Sequence, residues 1–392
     1  VNRHQETPDR LWTAPFIGLT VGFFLLFLNL QMLLAAFPAY VKNNFQANDV
    51  TVSLMTSTFA AAAILARIAT AWLLRRFDRR MLLYISIAIA VLMTVLYMYA
   101  WSVNSLLLLR VGYGIGFGMA STIIPTLVSR VIPGNRIGEG IAYFGLSTSL
   151  AMSMGPLIGL NVLDGLGFPP LVWLGTAVGL LIVPVLLITR AVPPQEPQVL
   201  TSSANHKEPF PLGIWTPALM NLMLGVTYSG LLSFIALFGE AAGLEQAGLF
   251  FLFNVMAILV VRPIAGKLFD AHGPVIVLVP AGISLGIGLI LLSYTGSLPM
   301  LILSAICYGI GFGSIQPTLQ AWMLRVSKPQ QQGLANSMFY SSADFGIALG
   351  AFVLGAVASA TDYAIMYRYS ASLMIVFLLL SLWAGRRQRS SV

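Results

Sequence analysis

The sequence predicts an all-α membrane protein of twelve transmembrane helices in two pseudo-symmetric six-helix bundles, with the N- and C-termini in the cytoplasm. Three observations carry that prediction. Of 392 residues, 58% are hydrophobic and only 9% are charged, against about 25% charged in an ordinary soluble domain. Apolar stretches long enough to cross a bilayer, about 20 residues at a rise of 1.5 Å each, recur from one end to the other. The hexapeptide YGIGFG at 113–118 also returns letter for letter at 308–313, a lag of 195 (308 minus 113).

The twelve apolar stretches cover about 14–40, 50–74, 81–101, 105–130, 139–163, 170–190, 213–238, 246–268, 274–295, 299–324, 333–359 and 363–384. Each is predicted to be a helix, because a spanning segment must satisfy its own backbone hydrogen bonds. The first is too long for the apolar part of a signal peptide and lacks a small-residue cleavage site, so it is expected to be retained. A lone Cys307 lies within a span, which excludes an internal disulfide framework and a cysteine metal cluster; no metal and no cofactor is expected. The formal net charge of +8 would suggest nucleic acid in a soluble protein,. Its distribution says otherwise. With the N-terminus inside, sixteen of the twenty-one Lys and Arg fall on that side, only Lys42 falls on the other, and Arg67, Arg110, Arg262 and Arg368 lie within spans. This is the positive-inside asymmetry of a multi-pass plasma-membrane protein.

The lag of 195 extends well beyond the hexapeptide. Arg67 falls on Arg262, Arg130 on Arg325, Gly138 on Gly333, Phe144 on Phe339 and Gly155 on Gly350. Between the halves, AVPPQEPQVLTSSANHKEPFP at 191–211 is polar and proline-rich and reads as a cytoplasmic linker,. The predicted organisation is a first bundle over 1–190, a linker over 191–212 and a second bundle over 213–392. The hexapeptide itself carries Gly114 and Gly118, and Gly309 and Gly313, four apart on one helix face. That is the spacing of close helix packing in lipid. A phosphate-binding loop would need G-x-G-x-x-G after a strand, and Phe117 and Met119 stand where its third glycine would fall,.

Two parallel six-helix repeats joined by a linker resemble the major facilitator transporters, and local motifs sharpen the resemblance. AWLLRRFDRR at 71–80 is similar to the loop signature G-x-x-x-D-R-x-G-R-[RK]: Arg76, Arg79 and Arg80 match, whereas Ala71, Arg75 and Asp78 replace the first glycine, the aspartate and the second glycine. The counterpart GKLFDAHG at 266–273 keeps Gly266, Asp270 and Gly273. The resemblance implies a cytoplasmic gate made by these residues, with Asp270 as its latch and the first latch altered by Arg75. RVGYGIGFG, opening on Arg110, is similar to the fourth-helix motif R-x-x-x-G-x-G of proton-coupled members. GPLIG, with Gly155, Pro156 and Gly159, resembles the fifth-helix motif of the antiporter branch, although Ala142 and Ala151 stand where its earlier glycines would be. In the second half Ala351 replaces the proline, so the motif is one-sided, as in exporters.

Polar residues inside spans are the candidate site. Arg110 has Ala305 as its repeat partner, so packing does not require an arginine there, and a buried guanidinium is a functional candidate by default unless it snorkels to the interface. Two acidic residues lie within spans, Glu139 and Asp344. Glu139 sits in the first turn of its helix, where the dipole can hold it. Asp344 is near the midplane, where an ionised carboxylate is costly, which suits it to binding and releasing the coupling proton. Asn29 stands nine residues before Pro38, near where many drug exporters of the family have an acid, so proton binding shifts to Asp344. Asn29, Gln31, Asn221, Tyr228, Asn254, Gln316 and Tyr340 are expected to line the substrate cavity, although helix-to-helix hydrogen bonding would also explain each.

No H-x-x-x-H, Walker loop or nucleophile elbow is present, and His4, His206 and His272 all fall in connections,. The expected function is therefore gradient-driven, non-enzymatic transport. It is a proton-coupled exporter of small amphipathic molecules such as drugs or metabolites, resembling bacterial drug:proton antiporters and acting as a monomer in the inner membrane. Its expected partners are a small-molecule substrate, protons and the lipid bilayer, with no nucleic acid. A facilitator or symporter importing a sugar or organic acid, and a lipid-handling or receptor protein on the same fold, are the alternatives.

Overall fold

The computed structural model describes residues 10–46, 49–74, 76–192, 212–244 and 247–389. Arg75, Lys207 and residues 193–211 of the linker lie outside them. Among the described residues there is no β-strand. The chain forms α1 (Ala14–Phe45), α2 (Asp49–Leu73), α3 (Arg79–Leu96), α4 (Val103–Val131), α5 (Ile137–Leu166) and α6 (Phe168–Ile188). It continues through α7 (Trp215–Ala241), α8 (Leu249–His272), α9 (Pro274–Ser293), α10 (Leu298–Arg325), α11 (Gln332–Ala360) and α12 (Tyr363–Arg389). Eleven helices among the described residues are long and apolar enough to cross a membrane, and in α2 the apolar stretch is the shorter Ser57–Leu73.

Helix ends follow local chemistry where hydropathy is silent. Asp78, which replaces a family glycine, caps α3 by accepting from Arg80 N at 2.6 Å and Met81 N at 3.1 Å, satisfying donors that a helix start leaves free. Ser102 and Ser105 form a reciprocal capping box at the start of α4,. α3 stops at Leu96 and a 3₁₀ turn, Tyr97–Tyr99, completes the expected 81–101 span. Two expectations are corrected at helix ends. α1 runs on to Phe45, so Lys42 is helical, and α8 runs on to His272, so Asp270 and His272 lie in its last turns and not in a loop. Gly273 then ends α8 with φ 80°, a conformation that costs a residue with a Cβ.

The chain divides into two compact units. The first holds residues up to 134, 150–212 and 329–337; there α2 and α3 pack on α4, and α1 packs on α6. The second holds 135–149, 213–328 and 338–392; there α8 and α9 pack on α10, and α12 packs on α9 and α7. This differs from a division at the linker alone. The opening turns of α5 belong with the second unit, and the opening residues of α11 belong with the first.

The repeated glycines do equivalent work in each unit. A Cβ on Gly114 would lie 2.7 Å from the Phe59 carbonyl oxygen, and one on Gly309 would lie 2.6 Å from that of Asn254, 195 positions later. A Cβ on Gly116 would lie 2.7 Å from Ala90 N and one on Gly311 2.7 Å from Leu285 N, again 195 apart. Alternate glycines of the hexapeptide thus admit one neighbouring helix on each side. Gly114→Ala and Gly309→Ala must each push a backbone away and are expected to cost about 1–3 kcal/mol. Gly134→Ala, with nothing within 4 Å of the added atom, is expected to be neutral. Thermal unfolding of the purified variants checks both statements.

Candidate transport site

In the first unit, Arg110 lies inside α4 and is fully buried, so it does not snorkel to a surface. Its Nε donates to the Met55 carbonyl at 3.1 Å, while Nη1 and Nη2 have no hydrogen-bond partner among the described residues. Its guanidinium carbon is 4.6 Å from the Phe37 ring centroid and 4.9 Å from that of Phe59. The Tyr97 hydroxyl stands beside the guanidinium, within electrostatic reach of it. Two aromatic faces partly offset the desolvation of the cation, and among the described residues no carboxylate forms a salt bridge with it.

Asn29 is committed to packing. Its Nδ2 donates to the Gly175 carbonyl at 2.6 Å and its Oδ1 accepts from the Tyr113 hydroxyl at 2.6 Å, tying α1 to α6 and α4. Of the two polar residues expected on α1, only Gln31 is partly exposed. The GPLIG segment reaches the same stretch of α1: a Cβ on Gly155 would lie 2.4 Å from Gln31 Cβ, and one on Gly159 2.2 Å from the Met32 carbonyl oxygen. Pro156 lies between them inside α5.

In the second unit, Asn221 donates to the Phe339 carbonyl at 2.7 Å and to Ser342 Oγ at 3.0 Å, which joins α7 to α11. Asn254 is 4% exposed with no donor to its Oδ1 among the described residues. Tyr228 packs on Phe312, with ring centroids 5.1 Å apart. Asp344 stands twelve residues beyond Gln332 on α11, about 18 Å along the helix, and is half-buried. Tyr340, four residues earlier, shares its face.

The motifs leave one buried cation of this unit unmarked. Arg262, 2% exposed in α8, donates through Nη2 to Gln316 Oε1, and its Nε has no partner among the described residues. Tyr340 is within electrostatic reach of it. A Cβ on Gly145 would lie 2.5 Å from Arg262 Nη1, so α5 leaves room for the guanidinium by carrying a glycine. The signal was present in the repeat: Arg67 donates through Nε to Ser121 Oγ at 3.2 Å, and 67 and 121 are each 195 before 262 and 316. A cation kept at the same register in both halves is a stronger pointer than its lone occurrence in a span.

At the end of α8, Asp270 Oδ1 accepts from Gly138 N and Oδ2 from Glu139 N, both at 2.8 Å. Arg325 donates to Oδ1 at 3.0 Å while lying 4.1 Å above the Phe269 ring. The carboxylate therefore sits on the positive end of α5, where an anion is favoured. Close approach is possible because Gly266 and Gly138 face each other; a Cβ on either would lie 2.6 Å from the carbonyl oxygen of the other. Glu139 is held by Arg136 at 2.7 Å and Lys267 at 3.9 Å. The corresponding arginines of the first unit differ: Arg76 stacks 4.3 Å over Trp72, and Arg80 donates to the Val192 carbonyl at 3.0 Å. Arg79 opens α3.

Apolar helices of this number and length, with arginines and carboxylates kept among them, define a multi-pass membrane protein. The chain belongs to the Major Facilitator Superfamily, whose profile matches residues 19–270 and again 218–392; its members are transporters and not enzymes. It is 24% identical over 323 residues to a "Probable sugar efflux transporter" of Helicobacter pylori, covering 79% of this chain and 80% of that one. It is 20% identical over 361 residues to an uncharacterised MFS-type transporter of Methanocaldococcus jannaschii, covering 88% and 91%. Among solved structures, its fold is similar to that of the human organic anion transporter TETRAN, with a TM-score of 0.78, 17% identity and coverage of 95% and 99%. The outward conformation of FucP gives a TM-score of 0.73 at 16% identity, with coverage of 95% and 99%.

Proposed function

We propose that the chain is a proton-coupled exporter of small amphipathic organic molecules, working by alternating access as a monomer in a bacterial plasma membrane. The observation that carries this reading is Asp344, a half-buried carboxylate midway along an apolar helix, sharing a face with Tyr340, which is itself within electrostatic reach of Arg262. An acidic side chain at that depth of a span is costly to keep and marks a functional position. Arg262 and Arg110 supply the positive charge that competes with the proton or meets an anionic part of the cargo. Gln31, Tyr228, Gln316 and Tyr340 are the polar groups best placed to meet cargo, because Asn29 and Asn221 are tied to backbone carbonyls. Asp270, with Gly266 and Gly273, serves as the cytoplasmic gate by holding the start of α5, and Arg76, Arg79 and Arg80 form its altered counterpart.

The one-sided GPLIG motif and the sugar efflux name of a relative both favour export. That name also makes a sugar the first cargo to test, beside cationic, neutral and anionic amphiphiles. In proteoliposomes holding a pH-sensitive dye, an antiporter moves protons against the substrate. Substrate added outside is then expected to make the lumen alkaline. Acidification of the lumen would replace this reading with symport, and no substrate-dependent proton movement across the panel would remove proton coupling.

A further inference from the structure

The two units treat the same position in opposite ways. In the second, the carboxylate of Asp270 joins the N–H groups of Gly138 and Glu139 to Arg325. At a lag of 195, Gly138 corresponds to Gly333, Arg325 to Arg130, and Asp270 to an arginine, Arg75. The first unit therefore keeps the start of a helix and the arginine while losing the acid. The described residues of this unit hold a small polar recess lined by Ala71, Leu74, Arg79, Thr126, Arg130 and Gly333, with the exposed Gln330. Arg79 and Arg130 are close enough to repel each other. Arg130 otherwise donates to the Pro329 carbonyl at 3.2 Å. The nearby acid, Asp78, is occupied in capping α3, and among the described residues neither arginine forms a salt bridge.

We propose that this recess is a binding site for a phosphate-bearing anion, which takes the place of the carboxylate that the first half has lost. Two guanidinium groups lining one recess present forked donors that match phosphate oxygens in pairs, and an anion between them would relieve their repulsion beyond what Asp78 does for Arg79. Arg79 is the first residue of α3 and Arg130 lies in the last turn of α4. Both therefore stand at the ends of spanning helices, the depth of lipid phosphates. A lipid headgroup and free phosphate offer the same chemistry. Bound there, the anion would tie the α2–α4 end to residues 329–337 as Asp270 ties the α8–α10 end to the start of α5. Ser129, which donates to Gln332 Oε1 at 2.9 Å, is a neutral tie already in place beside it. Such a site would hold whatever the direction or coupling of transport.

The test is thermal unfolding of the full chain in nanodiscs. In one arm, phosphatidylcholine discs are held at constant ionic strength while potassium phosphate replaces potassium chloride. In the other, phosphatidylglycerol replaces part of the phosphatidylcholine. The unfolding midpoint is expected to rise by several degrees in at least one arm. Arg130→Gln should lose most of the rise. Gln330→Glu, which brings a carboxylate to the rim at an exposed position, should start from a higher midpoint and gain little more. A rise in the lipid arm alone identifies a headgroup, and a rise with phosphate identifies the free anion. No rise in either arm, or a rise that survives undiminished in both variants, overturns the site.

Discussion

Asp344→Asn is expected to abolish proton-driven transport while the protein still folds, inserts and binds its cargo. The substitution keeps the size of the side chain and a carbonyl oxygen, so whatever holds Asp344 in place loses least. What disappears is the exchangeable proton. Tyr340 shares the helix face, and Asp344 is the sole carboxylate in the sequence of α11. Substrate-dependent proton flux in proteoliposomes should fall to background, and accumulation against a gradient should stop. Downhill exchange of substrate should continue, because binding and rocking do not need the charge to change. Unchanged coupled flux in the Asn variant would remove Asp344 from the mechanism. If both flux and exchange vanished while the unfolding midpoint held, Asp344 would be a cargo ligand and not a proton carrier.

The second large effect is at Asp270. Asp270→Ala takes the acceptor from two backbone N–H groups and from Arg325. Hydrogen bonds to a charged group contribute about 1.5–3 kcal/mol each, whereas the Arg325 contact, with that side chain 38% exposed, adds about 1 kcal/mol at most. The arrangement that holds the start of α5 should therefore weaken by about 3 kcal/mol, enough to change its population by roughly a hundredfold. Hydrogen exchange at residues 138–142 should quicken, and the transport rate should drop by at least about tenfold. Asp270→Asn, which keeps one good acceptor, should fall between the two. Exchange at the start of α5 that is no faster in the Ala variant would show that Asp270 does not hold that helix.

The twelve helices were legible because their chemistry is one-dimensional. Lipid rewards an unbroken apolar run of fixed length, and such a run can be seen without knowing its neighbours. The limits differ from the expected ones where local chemistry at the helix ends decides, as at Lys42, at the 3₁₀ turn after Leu96 and at the last turns of α8. Glycine spacing was legible for a related reason: Gly114 and Gly309 share a register because each admits a backbone, Phe59 in one case and Asn254 in the other. A repeated contact leaves a repeated letter.

The polar site was less legible, because what a buried amide or guanidinium does depends on partners far away in the chain. Asn29 and Gln31 look alike in the sequence, two residues apart. One is used up by Gly175 and Tyr113, and the other lies partly exposed against Gly155. Arg110 was identified from its motif, but the pair of rings that flank it, Phe37 and Phe59, come from different helices. Arg262 looks in the sequence like any arginine within a span, since nothing local announces Gln316, Tyr340 and the space left by Gly145.

Hydropathy, charge distribution and the lag of 195 were enough to determine a helical membrane protein with a duplicated pattern, because each is a property of residue types along the chain. They could not assign the start of α5 to the second unit or the start of α11 to the first. Nor could they say whether an acid, an arginine or an amide finds a partner. Those are decided by which helix ends meet, where a carboxylate such as Asp270 is stabilised by two N–H groups 131 and 132 residues away. An electrostatic contact of that kind depends on distance in space, and sequence separation carries almost no information about it.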